Sequence, residues 1–210
     1  MSLDQDNEFR RAFEAAASGF CLEALTEHQI AQLVKHYSML RRWNRRTNLT
    51  RIIEPEESAR FHYAESLSGA PFIKDATSLL DVGSGAGFPA VPLAVARPDI
   101  RVVALEANQK KSLFLKEVKD ELRLDNFSVE TARLEGFDWS SYALLTSRAL
   151  DRAETILPAV VEHLAGRQRL MLYCAAELLT AIEQSAGSTF SVETHPIPQS
   201  ESRLIAIFSR

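Results

Sequence analysis

Residues 79–95 read LLDVGSGAGFPAVPLAV. An apolar run ends at Asp81 and Val82, glycines follow at alternate positions, and a second apolar stretch begins after them: the glycines are Gly83, Gly85 and Gly87. Glycine tolerates positive φ and lets another molecule approach the backbone closely. The stretch therefore predicts a buried strand that turns tightly into a helix, with a ligand at the turn. A tight turn that binds nothing is the simpler alternative.

Short apolar segments alternate with helical patterns downstream of this loop. The predicted strands are Leu79–Val82, Val102–Leu105, Ser128–Thr131, Leu144–Thr146 and Arg169–Tyr173. The predicted helices between them are Pro89–Ala96, Lys110–Leu122, Ala153–Ala165 and Ala175–Ala186. Strands that are apolar throughout and alternate with helices indicate a parallel sheet covered on both faces.

The carboxyl-terminal part of the chain breaks this alternation. Two strand-like runs, STFSVETHPI and RLIAIFSR, are separated only by the polar loop PQSES. Without an intervening helix they predict an antiparallel pair at the sheet edge. A mostly parallel, seven-stranded sheet that ends in an antiparallel hairpin is typical of the Rossmann-like class I methyltransferase fold, an α/β fold.

Residues 1–77 carry helical signals and no strand signal. Phe9, Phe13 and Ala16 recur at helical spacing, and Thr26 with Gln29 forms a capping box for a second helix. The turn EPEE precedes a third predicted helix in ARFHYAESL. The sequence thus predicts two units, an N-terminal helical extension over 1–77 and an α/β core over 78–210.

The bulk composition limits the classes of function. The chain has 210 residues, 46% of them hydrophobic, and a net charge of −4, which suits one soluble domain without a globally basic surface. Two cysteines make no disulfide framework, the polar amino terminus lacks a signal-peptide core, and no apolar run could span a bilayer. We expect a cytoplasmic monomer with no membrane segment, and no metal because the histidines lack ligand spacing.

The glycine loop has two features that narrow its ligand. Phe88 stands where a dinucleotide fingerprint needs its third glycine, and Asp81 precedes Gly83 in the pattern D-x-G-x-G-x-G. Glu106 ends the second predicted strand, where a carboxylate can accept both hydroxyls of an adenosine ribose. Together they favour S-adenosyl-L-methionine, with Asp81, the three glycines and Glu106 as cofactor-binding residues.

Several separated segments, in order, resemble one family. RRWNRRTNLTRI resembles its W-N-x-x-x-N-L-T element, FHYAESL its H-x-x-D-S-L, and the glycine loop its cofactor loop; ARLEGF and TSRAL follow at the family's positions. On these motifs the chain is similar to the bacterial 16S ribosomal RNA 7-methylguanosine methyltransferases, also called glucose-inhibited division protein B. The resemblance covers roughly residues 30–210.

The resemblance implies an enzyme that methylates guanine N7 in 16S ribosomal RNA, alone or in the small ribosomal subunit, with S-adenosylmethionine as donor. Carried over by position, it implies that Gly83, Phe88, Leu134 with Glu135, and Arg148 hold the donor. The chain departs from the family in LYCAAE, where a lysine-glycine pair is usual, and in Ala90 and Glu65. It is therefore identified as a diverged member.

Guanine N7 carries a free lone pair and needs no deprotonation, so alignment of donor and acceptor can supply much of the catalysis. Arg148 is our candidate for orienting the donor or binding the guanine edge, and the alternative is a structural arginine bound to a carboxylate. His62 is a candidate substrate contact or a structural histidine. Cys174 fits a small apolar filler better than a nucleophile.

One segment is locally basic. No acid interrupts residues 41–51, which supply the candidate RNA-binding arginines Arg41, Arg42, Arg45, Arg46 and Arg51. The alternative is a solvated helix face with Trp43 in the core. At the level of function, two alternatives stay open: a non-catalytic module that binds S-adenosylmethionine or RNA, which the missing lysine-glycine pair favours, and a small-molecule methyltransferase.

Overall fold

The computed structural model describes residues 2–73, 75–148, 153–185 and 190–210, with side chains from residue 4 onward. Its centre is a seven-stranded sheet in the order β3-β2-β1-β4-β5-β7-β6. Strands β1 to β5 are parallel, and β7 runs antiparallel to both β5 and β6. The strands are β1 Ser78–Val82, β2 Arg101–Leu105, β3 Phe127–Glu130, β4 Leu144–Arg148, β5 Arg169–Ala175, β6 Ser191–Pro196 and β7 Arg203–Ser209. The predicted fold class is confirmed.

Eight α-helical segments accompany the sheet in the described part of the chain. They are α1 Ser2–Gly19, α2 Glu27–Asn44, α3 Pro55–Glu57, α4 Glu65–Leu67, α5 Ala90–Ala96, α6 Gln109–Leu122, α7 Ala153–His163 and α8 Ala176–Ser185. For the four helices predicted in the α/β core, the ends agree to within two residues where they can be compared. The expected end at Ala186 lies outside the described residues. The predicted strand over Ser128–Thr131 begins and ends one residue earlier.

Strand order fixes where a ligand can bind. β1 lies between β2 and β4. The chain continues from β1 to β2 and β3 on one side, and then crosses to β4 on the other side, so the strand order reverses at β1. All five residues of β1, including the polar Ser78 and Asp81, are buried, as expected for a central strand of a parallel sheet covered on both faces. In open parallel sheets, ligands bind in the crevice beyond the carboxyl ends of the strands at this point of reversal. The glycine loop leaves β1 directly into that crevice.

The N-terminal helices pack on the sheet through a continuous core. Phe9 of α1 stacks on Tyr37 of α2 with ring centroids 4.2 Å apart, and both belong to the same apolar cluster as Leu79 of β1. Thr26 caps α2 through the predicted capping box with Gln29. The extension is thus joined to the α/β core by buried side chains.

Residues 59–67 do not form the regular helix that the sequence predicts. Between the single turns α3 and α4, Ser58–Ala64 forms a π-helix. A π-helical segment widens the ladder and is frequent at functional sites. It contains His62, whose side chain enters the site described below. Among all the helices the structure describes, none has the length and apolarity to cross a membrane.

Candidate active site

The glycine loop has the backbone that its composition predicts. Gly83, Gly85 and Gly87 have φ angles of +73°, +55° and +92°, a region that side chains rarely adopt. A Cβ on Gly85 would meet no atom closer than 3.8 Å, whereas one on Gly87 would lie 2.7 Å from Val91 Cγ2. Gly85 therefore leaves space for a ligand, and Gly87 allows the loop to pack on α5.

Glu106 follows β2 and binds the loop from the side. One of its carboxylate oxygens accepts the N–H of Gly85 at 2.8 Å, and the other accepts the N–H of Asn108 at 2.7 Å. Each oxygen keeps further acceptor capacity after these bonds. Because Glu106 also lines the cavity described below, its free lone pairs are available to hydroxyl donors there.

Asp81 is fully buried at the end of β1, beneath the loop. No hydrogen bond of standard geometry reaches its carboxylate oxygens from the described residues. Burial raises its pKa to about 7, and smaller contributions from Ser84 and the Ala90 backbone N–H oppose that rise. The hydroxyl of Ser84 binds the backbone carbonyl of Asp81 instead, at 3.0 Å. Because Asp81 is fully buried and does not line the cavity described below, its carboxylate belongs to the core under the loop.

A cavity of about 540 Å³ opens beside the loop, which is within the usual range of about 300–1,000 Å³ for small-molecule sites. It is lined by eight of the predicted site residues, namely His62, Gly83, Gly85, Phe88, Glu106, Leu134, Glu135 and Arg148. Asp81 and Gly87 lie outside the lining. Lys111 and Thr50 also line it, although neither is predicted from the sequence as a cofactor-binding or catalytic residue.

His62 and Phe88 form one wall of the cavity. Their rings are stacked with centroids 4.5 Å apart and an interplanar angle of 15°. Burial, together with the charge of Arg148, lowers the pKa of His62 to about 3, so its imidazole is neutral. Its Nε2 lies 2.9 Å from Thr50 Oγ1. Phe88 thus forms a wall of the cavity and leaves the space itself open.

Arg148 ends β4, and its side chain is almost completely buried against the π-helix. Its guanidinium donates to the carbonyl oxygens of Phe61 at 2.6 Å and His62 at 3.3 Å. Its Nε lies 3.4 Å from Glu65 Oε1, which also receives Arg203 of β7 at 2.6 Å. The contact with a carboxylate that we considered as the structural alternative is present, and the same residue lines the cavity.

His36 of α2 contacts the glycine loop. The sequence does not predict this contact. Its Nε2 lies 3.1 Å from the carbonyl oxygen of Ala86, and its Nδ1 lies 2.9 Å from the hydroxyl of Tyr63. Burial lowers its pKa to about 3. A neutral imidazole that donates to Ala86 and accepts from Tyr63 satisfies both contacts. Only its helical spacing in an apolar stripe could have indicated burial.

The basic segment is less uniform than its sequence. Arg41 binds Gln5 and Asp6 of α1 and lies over the ring of Tyr37, and Arg42 pairs with Glu117 of α6. Trp43 donates its Nε1–H to Glu117 and packs against the core. In the described part of the chain, no carboxylate contacts the exposed residues Arg45, Arg46 and Arg51. The segment reaches the cavity, because Asn44 binds the backbone of Leu49 and Thr50, which line it.

Cys174 lies within β5, where burial raises its pKa to about 11. A thiol with such a pKa is a poor nucleophile at neutral pH, and Cys174 is not part of the cavity lining. Over the four ranges that the structure describes, no three histidine, cysteine, aspartate or glutamate side chains are grouped to hold a metal ion.

Comparison with known proteins identifies the family. The profile of rRNA small subunit methyltransferase G (GidB) matches residues 29–200. The chain belongs to this family. A protein of that name from Roseiflexus sp. is 37% identical over 199 residues, covering 89% of this chain and 85% of the relative. Another, from Chromobacterium violaceum, is 42% identical over 126 residues, and the match spans 60% of each chain.

The fold is that of known methyltransferases. A solved S-adenosylmethionine-dependent O-methyltransferase from Thermotoga maritima aligns with a TM-score of 0.54 at 14% identity, over 83% of this chain and 71% of that one. The similarity to GidB family motifs and the methyltransferase fold inferred from the sequence are thereby confirmed. Its family places the chain among S-adenosylmethionine-dependent ribosomal RNA methyltransferases.

Proposed function

We propose that this protein transfers the methyl group of S-adenosyl-L-methionine to N7 of a guanine in 16S ribosomal RNA. The observation that carries the proposal is the cavity at the sheet's point of reversal, where a side-chain-free loop meets the carboxylate of Glu106. Membership of the family supplies the substrate class. The mapping experiment described below identifies the modified guanine, and parallel assays with naked RNA and the assembled subunit identify the acceptor.

The donor would be held by residues from three strand ends. Gly83 and Gly85 let the nucleoside lie against the backbone, and Glu106 accepts ribose hydroxyls with its free lone pairs. Leu134 and Glu135, which form a 3-10 turn at the cavity, bound the site on the β3 side. When bound, S-adenosylmethionine supplies an electrophilic methyl group on a positively charged sulfur.

The acceptor half requires little acid–base chemistry. The in-plane lone pair of guanine N7 is already free, so no side chain needs to remove a proton before attack. Neutral His62 and buried Arg148 are the candidate catalytic residues, and both line the cavity. We assign them to positioning the base and excluding water, which allows alignment to lower the barrier.

The exposed arginines beside the cavity supply the RNA contact in this proposal. Arg45, Arg46 and Arg51 would bind phosphates, since cations release counterions from RNA. Arg41 and Arg42, which the sequence also suggested, are engaged by acids of the protein itself. In this proposal residues 1–77 form the RNA-facing cap, residues 78–210 form the donor-binding core, and the protein acts as a cytoplasmic monomer.

The decisive experiment is methyl transfer to 16S ribosomal RNA from a strain that lacks the family enzyme. Radiolabelled methyl groups should enter the RNA, and chemical cleavage specific for 7-methylguanosine should map them to one guanine. Glu106→Gln should weaken donor binding about 10- to 100-fold by calorimetry, because one amide hydrogen would oppose a backbone N–H. Glu177→Gln, an exposed change on α8, is the matched control.

Two other outcomes would replace the proposal. Donor binding without transfer to RNA or small molecules would indicate a binding module, which the absent lysine-glycine pair in LYCAAE favours. Transfer to small molecules with RNA unmodified would indicate a small-molecule methyltransferase. Methylation of RNA at another base atom would retain the enzyme class and remove the N7 assignment.

A further inference from the structure

Three polar side chains form a chain of hydrogen bonds that ends at the cavity. Arg148 Nη2 lies 3.3 Å from His62 Nδ1, and His62 Nε2 lies 2.9 Å from Thr50 Oγ1. A guanidinium has donors and no acceptor, so Nδ1 must accept and carries no proton. The proton of this neutral imidazole therefore resides on Nε2, which donates to Thr50.

The hydroxyl of Thr50 is fully committed as an acceptor. Its oxygen accepts the imidazole N–H of His62, and it also accepts the backbone N–H of Ile52 at 3.1 Å. A hydroxyl oxygen accepts two hydrogen bonds and donates one. Both lone pairs are occupied, and in the described part of the chain no acceptor is recorded for the remaining hydrogen. Since Thr50 lines the cavity, that hydrogen is available to a ligand there.

We infer that Thr50 is a specificity-determining residue that donates a hydrogen bond to O6 of the acceptor guanine. The inference rests on the proposed function and deepens it. On its major-groove edge guanine presents N7 and O6, both acceptors, whereas adenine presents N7 and an amino donor. A hydroxyl that can only donate can hydrogen-bond to O6 of guanine but not to the amino group of adenine.

The network explains why the direction of this donor is fixed. An isolated threonine hydroxyl can rotate and either donate or accept, so it does not distinguish a carbonyl from an amino group. Here the charge on Arg148 sets the tautomer of His62, and His62 with Ile52 removes the accepting ability of Thr50. When adenine occupies the site, the Thr50 hydroxyl faces an amino group and its hydrogen has no acceptor. An unsatisfied buried donor loses more binding free energy than the absence of one hydrogen bond does, and this difference produces the selectivity.

The test compares purines that differ at position 6. Ribosomal RNA is prepared with guanine, inosine or 2,6-diaminopurine at the mapped acceptor position; all three keep N7, and only diaminopurine replaces O6 with an amino group. Thr50→Val removes the hydroxyl at nearly constant volume, and Thr50→Ser is the matched control that keeps it. The readout is kcat/KM for each base, with donor affinity by calorimetry and Tm for every variant.

The wild-type protein should methylate guanine and inosine at rates within a few-fold of each other, and diaminopurine roughly 10- to 100-fold more slowly. In Thr50→Val the preference for guanine over diaminopurine should fall about tenfold, with donor affinity unchanged, while Thr50→Ser retains the wild-type preference. The ratio is diagnostic because any general loss of activity affects both bases.

Wild-type protein that methylates diaminopurine as fast as guanine overturns the inference without any variant, which covers the case that Thr50→Val does not fold. An unchanged preference in folded Thr50→Val overturns it too. Both results leave the proposed function intact, whereas a wild-type protein that methylates no guanine N7 removes the proposed function itself.

Discussion

Arg148 Nη2 lies 2.6 Å from the carbonyl oxygen of Phe61, 87 positions earlier in the chain. The bond joins the end of β4 to the π-helix, so one side chain connects the α/β core to the N-terminal segment. The same guanidinium contacts Glu65 and lines the cavity. One guanidinium group therefore joins the two segments and also faces the cavity.

Replacing Arg148 with methionine should lower both stability and methyl transfer. We expect a loss of about 3–5 kcal/mol in the free energy of unfolding, because the buried Glu65 loses one of its cations and two carbonyls lose a donor. Arg203→Met is the control, since Arg203 also pairs with Glu65 but lies outside the cavity lining. Denaturant unfolding and single-turnover transfer separate the effects: Arg203→Met should keep the transfer rate of the folded fraction. Equal loss of transfer in both variants would contradict the role of Arg148 at the cavity.

Two glycines of one loop should respond differently to alanine. Both have positive φ, which costs a side chain about 1–2 kcal/mol. Gly85→Ala adds its Cβ in open space, whereas in Gly87→Ala the Cβ meets Val91 and Leu115. We expect Gly87→Ala to lower Tm more, and Gly85→Ala to lose more donor affinity at a smaller change in Tm. Thermal unfolding and calorimetry on the same preparations check this; the reverse ranking would place the ligand elsewhere.

Acid should destabilise the fold through its buried histidines. The folded-state pKa of His36 is about 3, below its usual 6.5, so its contribution is complete above pH 6.5 and is lost as the pH falls toward 3. Between pH 7.5 and 5.5 this amounts to about 1.4 kcal/mol for one histidine. His62 behaves alike. The raised pKa of Asp81 makes the fold more stable as the pH falls from 7.5 to 5.5, which is opposite to the effect of the histidines. Because Asp81 is present in every protein compared, its contribution cancels in the differences between them.

His36→Gln keeps a donor and an acceptor but cannot be protonated, so it should lose about 1.4 kcal/mol less than the wild type over this pH interval. His28→Gln, an exposed change on the same helix, should leave the wild-type difference in place. The free energy of unfolding from denaturant titrations at both pH values is the measurement. A His36→Gln protein with the wild-type difference would show that this imidazole is not buried as a neutral group.

Salt dependence should identify the arginines that contact RNA. Arg45→Gln with Arg46→Gln should weaken RNA binding and reduce the magnitude of the slope of log affinity against log salt by about 1.4–1.8. Arg11→Gln with Arg167→Gln removes the same charge from exposed positions outside the segment and is the control. Filter binding between 50 and 200 mM salt gives both slopes. Equal slopes for the two double variants would remove the segment from the RNA interface.

The strands and most helices could be predicted because local patterns determine them. β1 is apolar at every position except Asp81 and Ser78, and the capping box of α2 requires only Thr26 and Gln29. The glycine loop was predictable for the same reason. Its positive φ angles are a requirement that few other residues meet.

Features that depend on distant residues could not be predicted. The π-helix is bound by Arg148, which lies more than 80 positions away, so residues 59–67 alone indicate an ordinary helix. Likewise, residues 41–51 contain no acid, yet Asp6 and Glu117 bind two of its arginines in the folded chain. Thr50 was visible in N-L-T, but its value as a donor depends on the tautomer of His62.

The bond from His36 to Ala86 makes the loop of the α/β core dependent on a helix that precedes the sheet in the chain. Because the coupling is reciprocal, a nucleoside that stabilises the loop must also stabilise α2 against unfolding. The gain in the free energy of unfolding grows with the logarithm of the nucleoside concentration divided by its dissociation constant. Amide hydrogen exchange in α2, remote from the bound molecule, should therefore slow as the cavity fills.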